Sequence, residues 1–227
     1  MSRELYPALS GGFGAWRQLE IIANNIANAE TTGFKAERLV YEATGPGGDY
    51  VRIADGMVDQ STGAPMNTHD PLHVALQGPG FLVVEATGEL PWLTRDGQLH
   101  VDPSDGVLRS LSGHAVQGRN GAIEVPPGET ARIDSDGWVL ASESGPVGQL
   151  RVVTAPVEPV GGNLWRASGP MEDVEPDLVL GALEQSNVDP MRAMVDLIAA
   201  SRTFEMVQKV LETSDELDAR LNEFGRN

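Results

Sequence analysis

Apolar positions near the amino terminus repeat at alternating intervals of four and three residues. The repeat runs through Leu5, Leu9, Gly12, Trp16, Leu19, Ala23 and Ile26. Heptad spacing of this kind is typical of a helix that packs against another helix. Pro7 fits only in a first helical turn, so the regular helix should begin near it. Gly33 stands where a left-handed end to the helix is favourable.

A second heptad pattern fills the carboxyl-terminal part of the chain. Asp189 is suited to cap a helix, and Pro190 is suited to its first position. The pattern predicts a helix of about 30 residues, about 45 Å long. Because isolated helices are marginal in water, each terminal helix should need a partner. The positions in the pattern are Leu197, Ala200, Phe204, Val207, Leu211, Ser214 and Leu221.

Residues 68–170 have a different character, because short apolar or alternating runs such as "GFLVVEA" and "QLRVVTAP" replace the helical period. Aspartate-glycine and asparagine-glycine pairs separate these runs and supply the positive φ angles of tight hairpins. The expected fold is a mainly β core, an antiparallel sandwich or barrel, flanked by long terminal helices. The predicted hairpin glycines are Gly97, Gly106, Gly121 and Gly137.

These patterns divide the chain into five predicted segments. The stretch "EATGPGGDY" makes the second of them rich in glycine and proline, so that segment should be extended. The segments are an N-terminal axial helix (1–35), an extended linker (36–67), a β-rich core (68–170), a connector (171–186) and a C-terminal axial helix (187–227).

Composition and charge exclude several classes of function. Sixteen basic and 33 acidic residues give a net charge of −17, which disfavours nucleic acid or an anionic membrane surface as the main partner. No cysteine is present, so disulfides and thiolate metal sites are excluded. The sequence contains neither a secretory signal pattern nor an apolar run long enough for membrane insertion.

Three stretches faintly resemble ligand sites. His69 and His73 are four residues apart, but Pro71 breaks the helical geometry that would let them share a metal. The stretch "DSDGW" lacks the glycine and closing glutamate spacing of a calcium loop, so it should form a hairpin turn. The stretch "GGFG" lacks the strand and lysine of a phosphate-binding loop. We therefore expect no catalytic residue, metal or cofactor.

The N-terminal helix also carries amides where a solvent-exposed helix normally carries charges. Asn24, Asn25 and Asn28 lie with Ile21 on the side away from the apolar repeat. An uncharged second side suits a helix that contacts protein on more than one face. The alternative is a monomer with a single helical hairpin and solvated asparagines.

Motifs at both ends and in the middle resemble those of the bacterial flagellar rod and hook family. The N-terminal motif is "LYPALSGGFGAWRQLEIIANNIANAETTGFKA", and the C-terminal motif is "GALEQSNVDPMRAMVDLIAASRTFEMVQKVLETSDEL". Between them, "LHVALQGPGFLVV", "TRDGQLHVDPSDGVLRSLSGHAVQG" and "GPVGQLRVV" resemble the family core in the same order. His73 and Leu82 depart from the usual core residues, an aspartate and an aromatic.

The resemblance implies a structural, non-enzymatic subunit of the flagellar basal-body rod. The short core leaves no room for the further outer domain of a hook protein. The stretches most similar to the proximal rod members are "LHVALQGPGFL", "GPMEDVEPDLVLGALEQSNV" and "DLIAASRTFEMVQKVL". The alternatives are a distal rod subunit, or a secreted β-rich binding module with dimerising helices, which should instead expose a polar pocket in its core.

What is known of the family implies the partners and the location. The terminal helices would pair as an inner coiled coil that lines an export channel in the drive shaft. The partners would be other copies of the chain, neighbouring rod proteins and the flagellar type III export apparatus. The rod spans the periplasm, and export would need no cleaved signal peptide. The expected assembly interface is Leu5, Leu9, Trp16, Leu19, Ala23, Asn24, Asn25, Ile26, Asn28, Gly33, Phe34, Asn187, Val188, Leu197, Phe204, Val207, Leu211 and Leu221.

Overall fold

The computed structural model describes residues 5–44, 50–86, 88 and 90–224. The chain divides into two compact units. The helical unit contains both terminal helices and the segment Glu37–Met57. The β-unit contains Asn28–Ala36 and Val58–Val188. The protein is therefore mainly β, with a helix in each terminal region.

The helical unit is built on α1 (Leu5–Ala27) and α2 (Pro190–Phe224). These helices have 23 and 35 residues, so they are about 35 Å and about 52 Å long. They lie against each other within the unit. The first helix ends where the chain turns at Asn28, whose carbonyl accepts a hydrogen bond from Thr31 N at 3.1 Å.

The second helix begins as predicted. Asp189 Oδ1 accepts hydrogen bonds from the backbone N–H groups of Met191 (3.0 Å) and Arg192 (3.2 Å). Pro190 occupies the first helical position, where its missing N–H leaves no bond unmade.

The predicted linker contains three strands. The first two, β1 (Glu37–Thr44) and β2 (Tyr50–Val58), form a two-stranded sheet, and a third strand, β3, covers Pro65–Asn67. Strand β1 also contacts α1. The centre of the glycine-rich stretch, residues 45–49, lies outside the described residues. The linker is thus partly paired rather than a single extended segment.

The β-unit holds the remaining strands, and every pair whose register the structure gives is antiparallel. Its largest sheet has six strands in the order β15-β16-β6-β5-β14-β17. The strands are β3 (Pro65–Asn67), β4 (Val74–Leu76), β5 (Phe81–Val84), β6 (Trp92–Thr94), β7 (Leu99–Val101), β8 (Leu108–Ser110), β9 (Gln117–Gly118), β10 (Gly121–Ala122), β11 (Ala131–Ile133), β12 (Trp138–Ala141), β13 (Gly145–Gln149), β14 (Val152–Thr154), β15 (Val157–Gly161), β16 (Leu164–Ala167), β17 (Glu172–Val174), β18 (Leu178–Leu180) and β19 (Ala182–Glu184).

Both faces of the six-stranded sheet are buried. Along β5, Leu82 and Val84 join one hydrophobic cluster, whereas Phe81 and Val83 join another on the opposite face. This explains why "FLVV" is apolar throughout instead of alternating with polar residues. The first cluster also takes residues from β7, β8, β11 and β12, so that side of the core is a packing of sheet on sheet.

Three of the four predicted hairpin glycines have the expected conformation. Gly106, Gly121 and Gly137 have positive φ angles and follow or precede paired strands. Gly97 was expected to behave in the same way, and this prediction was wrong. A Cβ at Gly97 would lie 1.7 Å from Val74 O, so glycine is needed there for a close approach of two backbones.

Residues 171–186, predicted as a connector, contain β17, β18 and β19. Each strand has only three residues, which is too short for alternation to be recognised in the sequence. Strand β19 pairs with β3, and β18 pairs with β4. Within the described residues, neither helix has an apolar stretch that could cross a membrane.

Candidate assembly interface

The segment that follows α1 is held inside the β-unit by its backbone. Gly33 N donates a 2.7 Å hydrogen bond to the carbonyl of Glu184. Gly33 has a φ of 67°, and a Cβ there would lie 2.4 Å from the backbone carbon and oxygen of Arg95. Phe34 and Lys35 are buried beside it. The left-handed glycine therefore belongs to this close contact, six residues beyond the end of α1.

Three buried charges meet at the same place. Lys35 Nζ contacts Glu184 Oε1 at 2.5 Å, and Arg95 Nη1 contacts Glu184 Oε2 at 3.0 Å. Each of these side chains is about 1% exposed. We name these residues the charge cluster. Backbone groups complete it, because Lys35 Nζ donates to Ser61 O at 2.6 Å and Gly63 N donates to Glu184 Oε1 at 2.8 Å.

The charge cluster carries one more positive than negative charge. Burial lowers the pKa of the Lys35 ammonium below its ordinary value, although Glu184 opposes the change. Arg95 Nη2 donates to Gly78 O, and its guanidinium lies 5.5 Å from the centre of the Phe81 ring. Among the described residues, Arg95 Nε has no hydrogen-bond acceptor. A cation–π contact thus replaces part of the solvation that burial removes.

Asn187 joins the segment after α1 to the segment before α2. Its Oδ1 accepts a 2.7 Å hydrogen bond from Ala36 N. Its Nδ2 donates to Asp59 O at 2.8 Å and to Ser61 O at 3.1 Å. The neighbouring Val188 is half-buried, and its N–H donates to Ser186 Oγ at 3.2 Å. The two chain segments therefore run side by side in the β-unit.

Thr32 is held from two directions. Its hydroxyl donates to Asp96 Oδ1 at 3.0 Å, and its carbonyl accepts a 2.6 Å bond from Asn163 Nδ2. Burial raises the pKa of the Asp96 carboxyl above its ordinary value, and hydrogen bonds from Gln98 N and Thr32 only partly oppose this.

In the helical unit, Asn25 is nearly buried and binds the backbone of β1 at two points. Asn25 Nδ2 donates to Glu37 O at 2.8 Å, and Glu37 N donates to Asn25 Oδ1 at 2.9 Å. The amide therefore bonds to a strand of its own chain. Burial raises the pKa of Glu37, and the charge of Arg17 opposes the rise.

The face that α1 buries differs from the predicted apolar repeat. Ala15 and Ile21 are buried, whereas Trp16 is 52% exposed and Ala23 is exposed. A Cβ at Gly12 would lie 3.3 Å from Val207 Cγ1, so small residues let the two helices approach closely. The apolar and small residues of α1 surround most of the helix, and its neighbours determine which of them are covered.

Helix α2 has two apolar faces. On the first, Ala200 is buried, and Leu197, Phe204, Val207 and Leu211 are half-buried. At 3.6 residues per turn, the second set lies on the opposite side of the helix, and it is exposed. We call this set the outer apolar face; it consists of Met191 (73% exposed), Met194 (48%), Val195 (64%), Ile198 (56%), Met206 (61%) and Val210 (58%).

Comparison with known proteins identifies the family. Three family models match: "Flagella basal body rod protein" over residues 8–35, "Flagellar hook protein FlgE/F/G D1 domain" over 75–141, and "Flagellar basal body rod FlgEFG protein C-terminal" over 179–224. The chain is 34% identical to the flagellar basal-body rod protein FlgF of Salmonella typhimurium and to that of Escherichia coli, with 98% of each chain covered. It is 29% identical to the rod protein FlgG of Bacillus subtilis, covering 96% of this chain and 97% of that protein.

The chain belongs to the bacterial flagellar basal-body rod and hook family. It is a structural subunit of the flagellar rod, so its place is the flagellar basal body. The family also implies assembly with other rod and flagellar proteins. The matched regions contain α1, most of the first hydrophobic cluster and α2.

The predicted interface residues of this rod subunit fall into three groups. Gly33, Phe34, Asn187 and Val188 lie together in the β-unit. In the helical unit, reduced exposure is shared by Leu19, Asn25, Ile26, Leu197, Phe204, Val207 and Leu211. Trp16, Ala23 and Asn24 are exposed, and Asn28, at the start of a β-unit segment, is half-buried. Leu5, Leu9 and Leu221 are helical, but their side chains lie outside the described part of the structure.

Sequence reasoning missed the charge cluster of the rod subunit. Lys35 and Glu184 both stand in the motifs that carry the family resemblance. Lys35 lies between Phe34 and Ala36, and Glu184 directly follows Leu183. A charged residue in such a position is a signal for a buried ion pair. Their separation of 149 residues left the pairing itself unpredictable.

The ligand-like stretches have structural roles in this subunit. The stretch 134–138 forms the β11–β12 hairpin, where Asp134 Oδ1 accepts hydrogen bonds from Asp136 N and Trp138 N. His73 Nδ1 lies 2.9 Å from Thr68 Oγ1. In the portion of the chain that the structure describes, no group of three or more His, Asp or Glu side chains is placed to hold a metal.

Proposed function

We propose that this rod subunit polymerises through its terminal helices, which pair as a coiled coil and line the channel of the rod. The outer apolar face of α2 is the observation that carries the proposal. Large apolar side chains exposed on one side of a helix, here with Arg202 and Lys209 among them, are typical of a protein–protein contact. A helix covered on one side within its own chain and bare on the other is suited to a neighbouring subunit.

Helix α1 supports the same proposal. Phe13 is 62% exposed and Trp16 is 52% exposed, and large aromatic side chains are enriched in the buried centres of protein interfaces. The only charged residues of α1 are Arg17 and Glu20, which form an ion pair at 2.6 Å. Packing such a helix between subunits desolvates few charges, and desolvated charges are costly. The interface would include the terminal-helix residues predicted from the sequence.

We also propose a place in the proximal part of the rod. The motifs in the core and near the C terminus resemble those of proximal rod members. The identity to the FlgF proteins of Salmonella typhimurium and Escherichia coli, 34%, exceeds the 29% identity to the FlgG protein of Bacillus subtilis. Export through the flagellar type III apparatus, without a cleaved signal peptide, belongs to the same proposal. Locating the labelled subunit along isolated basal bodies would separate a proximal from a distal position.

The experiment for assembly compares Ile198→Asp with Gln208→Asp. Both positions are exposed on α2, and both variants add one carboxylate, but only Ile198 belongs to the outer apolar face. Because neither side chain is buried in the free subunit, both purified variants should keep the wild-type melting temperature. In cells, Ile198→Asp should abolish rod completion and swimming, since it would bury an unpaired charge between subunits. Gln208→Asp should leave both intact.

Two results would count against the proposal. Normal swimming with Ile198→Asp would show that the outer apolar face is not an interface. A large fall in the melting temperature of the same variant would assign the face to folding instead. Val83→Asp serves as the core reference, because Val83 is 1% exposed and its replacement should lower both melting temperature and protein abundance.

A further inference from the structure

The composition of the charge cluster argues against a role in stability alone. Two cations and one carboxylate are buried together, so one positive charge has no counter-ion within the cluster. Burying ions costs free energy, and even balanced buried pairs are often no more stabilising than apolar residues of the same volume. A buried charged group of this kind can instead favour one arrangement of the chain over others.

The cluster joins the two chain segments that lead to the helices. Lys35 lies eight residues after the end of α1, and Glu184 lies six residues before the start of α2. Arg95 follows β6 of the six-stranded sheet, so Glu184 connects both terminal segments to the β-unit. Two hydrogen bonds join the same two segments as the ion pairs. Gly33 N donates to Glu184 O, and Ala36 N donates to Asn187 Oδ1.

We infer that Lys35, Glu184 and Arg95 form a clamp that fixes the segments 32–36 and 184–187 to each other on the β-unit of the free subunit. The clamp is present before assembly and acts by charge, because the Glu184 carboxylate contacts both cations of the cluster. The two chain segments that lead to the helices are thereby held at one site of the β-unit. The inference concerns the isolated subunit. Only its consequence for rod assembly in cells rests on the proposed role of the helices.

If the clamp acts by charge, substitutions in it should differ in how far they open it; if the side chains only fill space, they should not. Glu184→Gln keeps the shape of the side chain and leaves two buried cations unpaired, so it should open the clamp most. Lys35→Met removes one cation and leaves the neutral pair of Arg95 and Glu184, so its effect should be smaller. If the side chains only filled space, both nearly isosteric replacements would be mild and similar.

The test uses amide hydrogen exchange on the purified full-length subunit. Gly33 and Ala36 report on the clamp, and Val83, which donates to Arg151 O within the sheet, reports on the core. Glu184→Gln should speed exchange at Gly33 and Ala36 by at least about tenfold, and Lys35→Met by less, with Val83 unchanged. Glu172→Gln, at an exposed position on β17, is the matched control and should change none of these amides.

Limited digestion with trypsin tests the same clamp independently. In the wild type, the enzyme should cut after the exposed Arg17 and spare the bond after the buried Lys35. Glu184→Gln should make the Lys35–Ala36 bond at least about ten times more sensitive, whereas Glu172→Gln should leave it protected.

A uniform rise in exchange across clamp and core would overturn the inference, and so would unchanged exchange at Gly33. Equal effects of Glu184→Gln and Lys35→Met would also overturn it. If Glu184→Gln does not fold, the test uses Lys35→Met alone. Faster amide exchange at Gly33 and Ala36, with unchanged exchange at Val83, then supports the inference, and any other result contradicts it. These measurements need no assembled rod, so failure of the clamp and failure of the assembly proposal are distinguishable.

Discussion

The short segment after α1 contains two kinds of constrained residue: Gly33, whose backbone is left-handed, and Lys35 of the buried charge cluster. At Gly33, a left-handed φ of 67° coincides with a 2.4 Å approach to the backbone of Arg95. Gly113 has a similarly left-handed φ of 85°, but a Cβ there would meet no atom within 4 Å. The two glycines therefore separate the cost of backbone conformation from the cost of a steric clash.

Replacement of these glycines by alanine should lower stability to different extents. Gly113→Ala should cost about 1–2 kcal/mol, the usual penalty for a left-handed L-residue. Gly33→Ala should cost at least twice as much, because the backbone of Arg95 must also move. Thermal unfolding of both purified variants measures the difference. Equal shifts in melting temperature would mean that the segment moves away from Arg95 without cost.

At the scale of elements, α2 has a capped N terminus and two apolar faces. Its first turn is capped by Asp189, which accepts hydrogen bonds from Met191 N and Arg192 N. Its inner face packs within the helical unit, and its outer apolar face is exposed. Because a helix gains most of its stability from packing, the cap matters most while the outer face is uncovered.

Asp189→Ala should weaken the start of α2 by about 1 kcal/mol, whereas Asp189→Asn should have little effect. Asparagine caps as well as aspartate does, since its side-chain oxygen can accept the same bonds. Faster amide exchange at Met191 and Arg192 in the alanine variant alone would meet this expectation. Equal acceleration in both variants would assign the effect to the charge of Asp189 at the helix N terminus.

At the scale of the whole molecule, charge is distributed unevenly. The net charge is −17, yet α1 contributes one arginine and one glutamate, which neutralise each other. Subunits should therefore repel one another through charges elsewhere in the chain, while the helix contacts in the proposed assembly are apolar. Salt screens the repulsion, since the Debye length falls to about 3 Å at 1 M ionic strength, and has little effect on apolar contacts.

Raising the salt concentration should therefore promote self-association of the purified subunit. Sedimentation velocity at low and high salt measures the change, and Ile198→Asp should reduce it if the outer apolar face is used. Association that weakened steeply with salt would mean that ion pairs dominate the interface.

Features encoded by neighbouring residues were predictable. The start of α2 at Asp189 and Pro190 depends on hydrogen bonds within one turn, and the positive φ of Gly106, Gly121 and Gly137 depends on the tight turns that contain them. The antiparallel β core followed from the same turn signals. These features need no information from distant parts of the chain, because the interactions that cause them span only a few residues.

Features created by distant contacts were not predictable. Trp16 belongs to the apolar repeat of α1 and is exposed in the free subunit, because the neighbours of α1 determine which of its apolar and small residues are covered. Asn25 bonds to the backbone of β1, and Gly97 is required by the approach of Val74. Lys35 and Glu184 are 149 residues apart, and their pairing, like the short strands β17 to β19, exists only because the folded chain brings separate segments into contact.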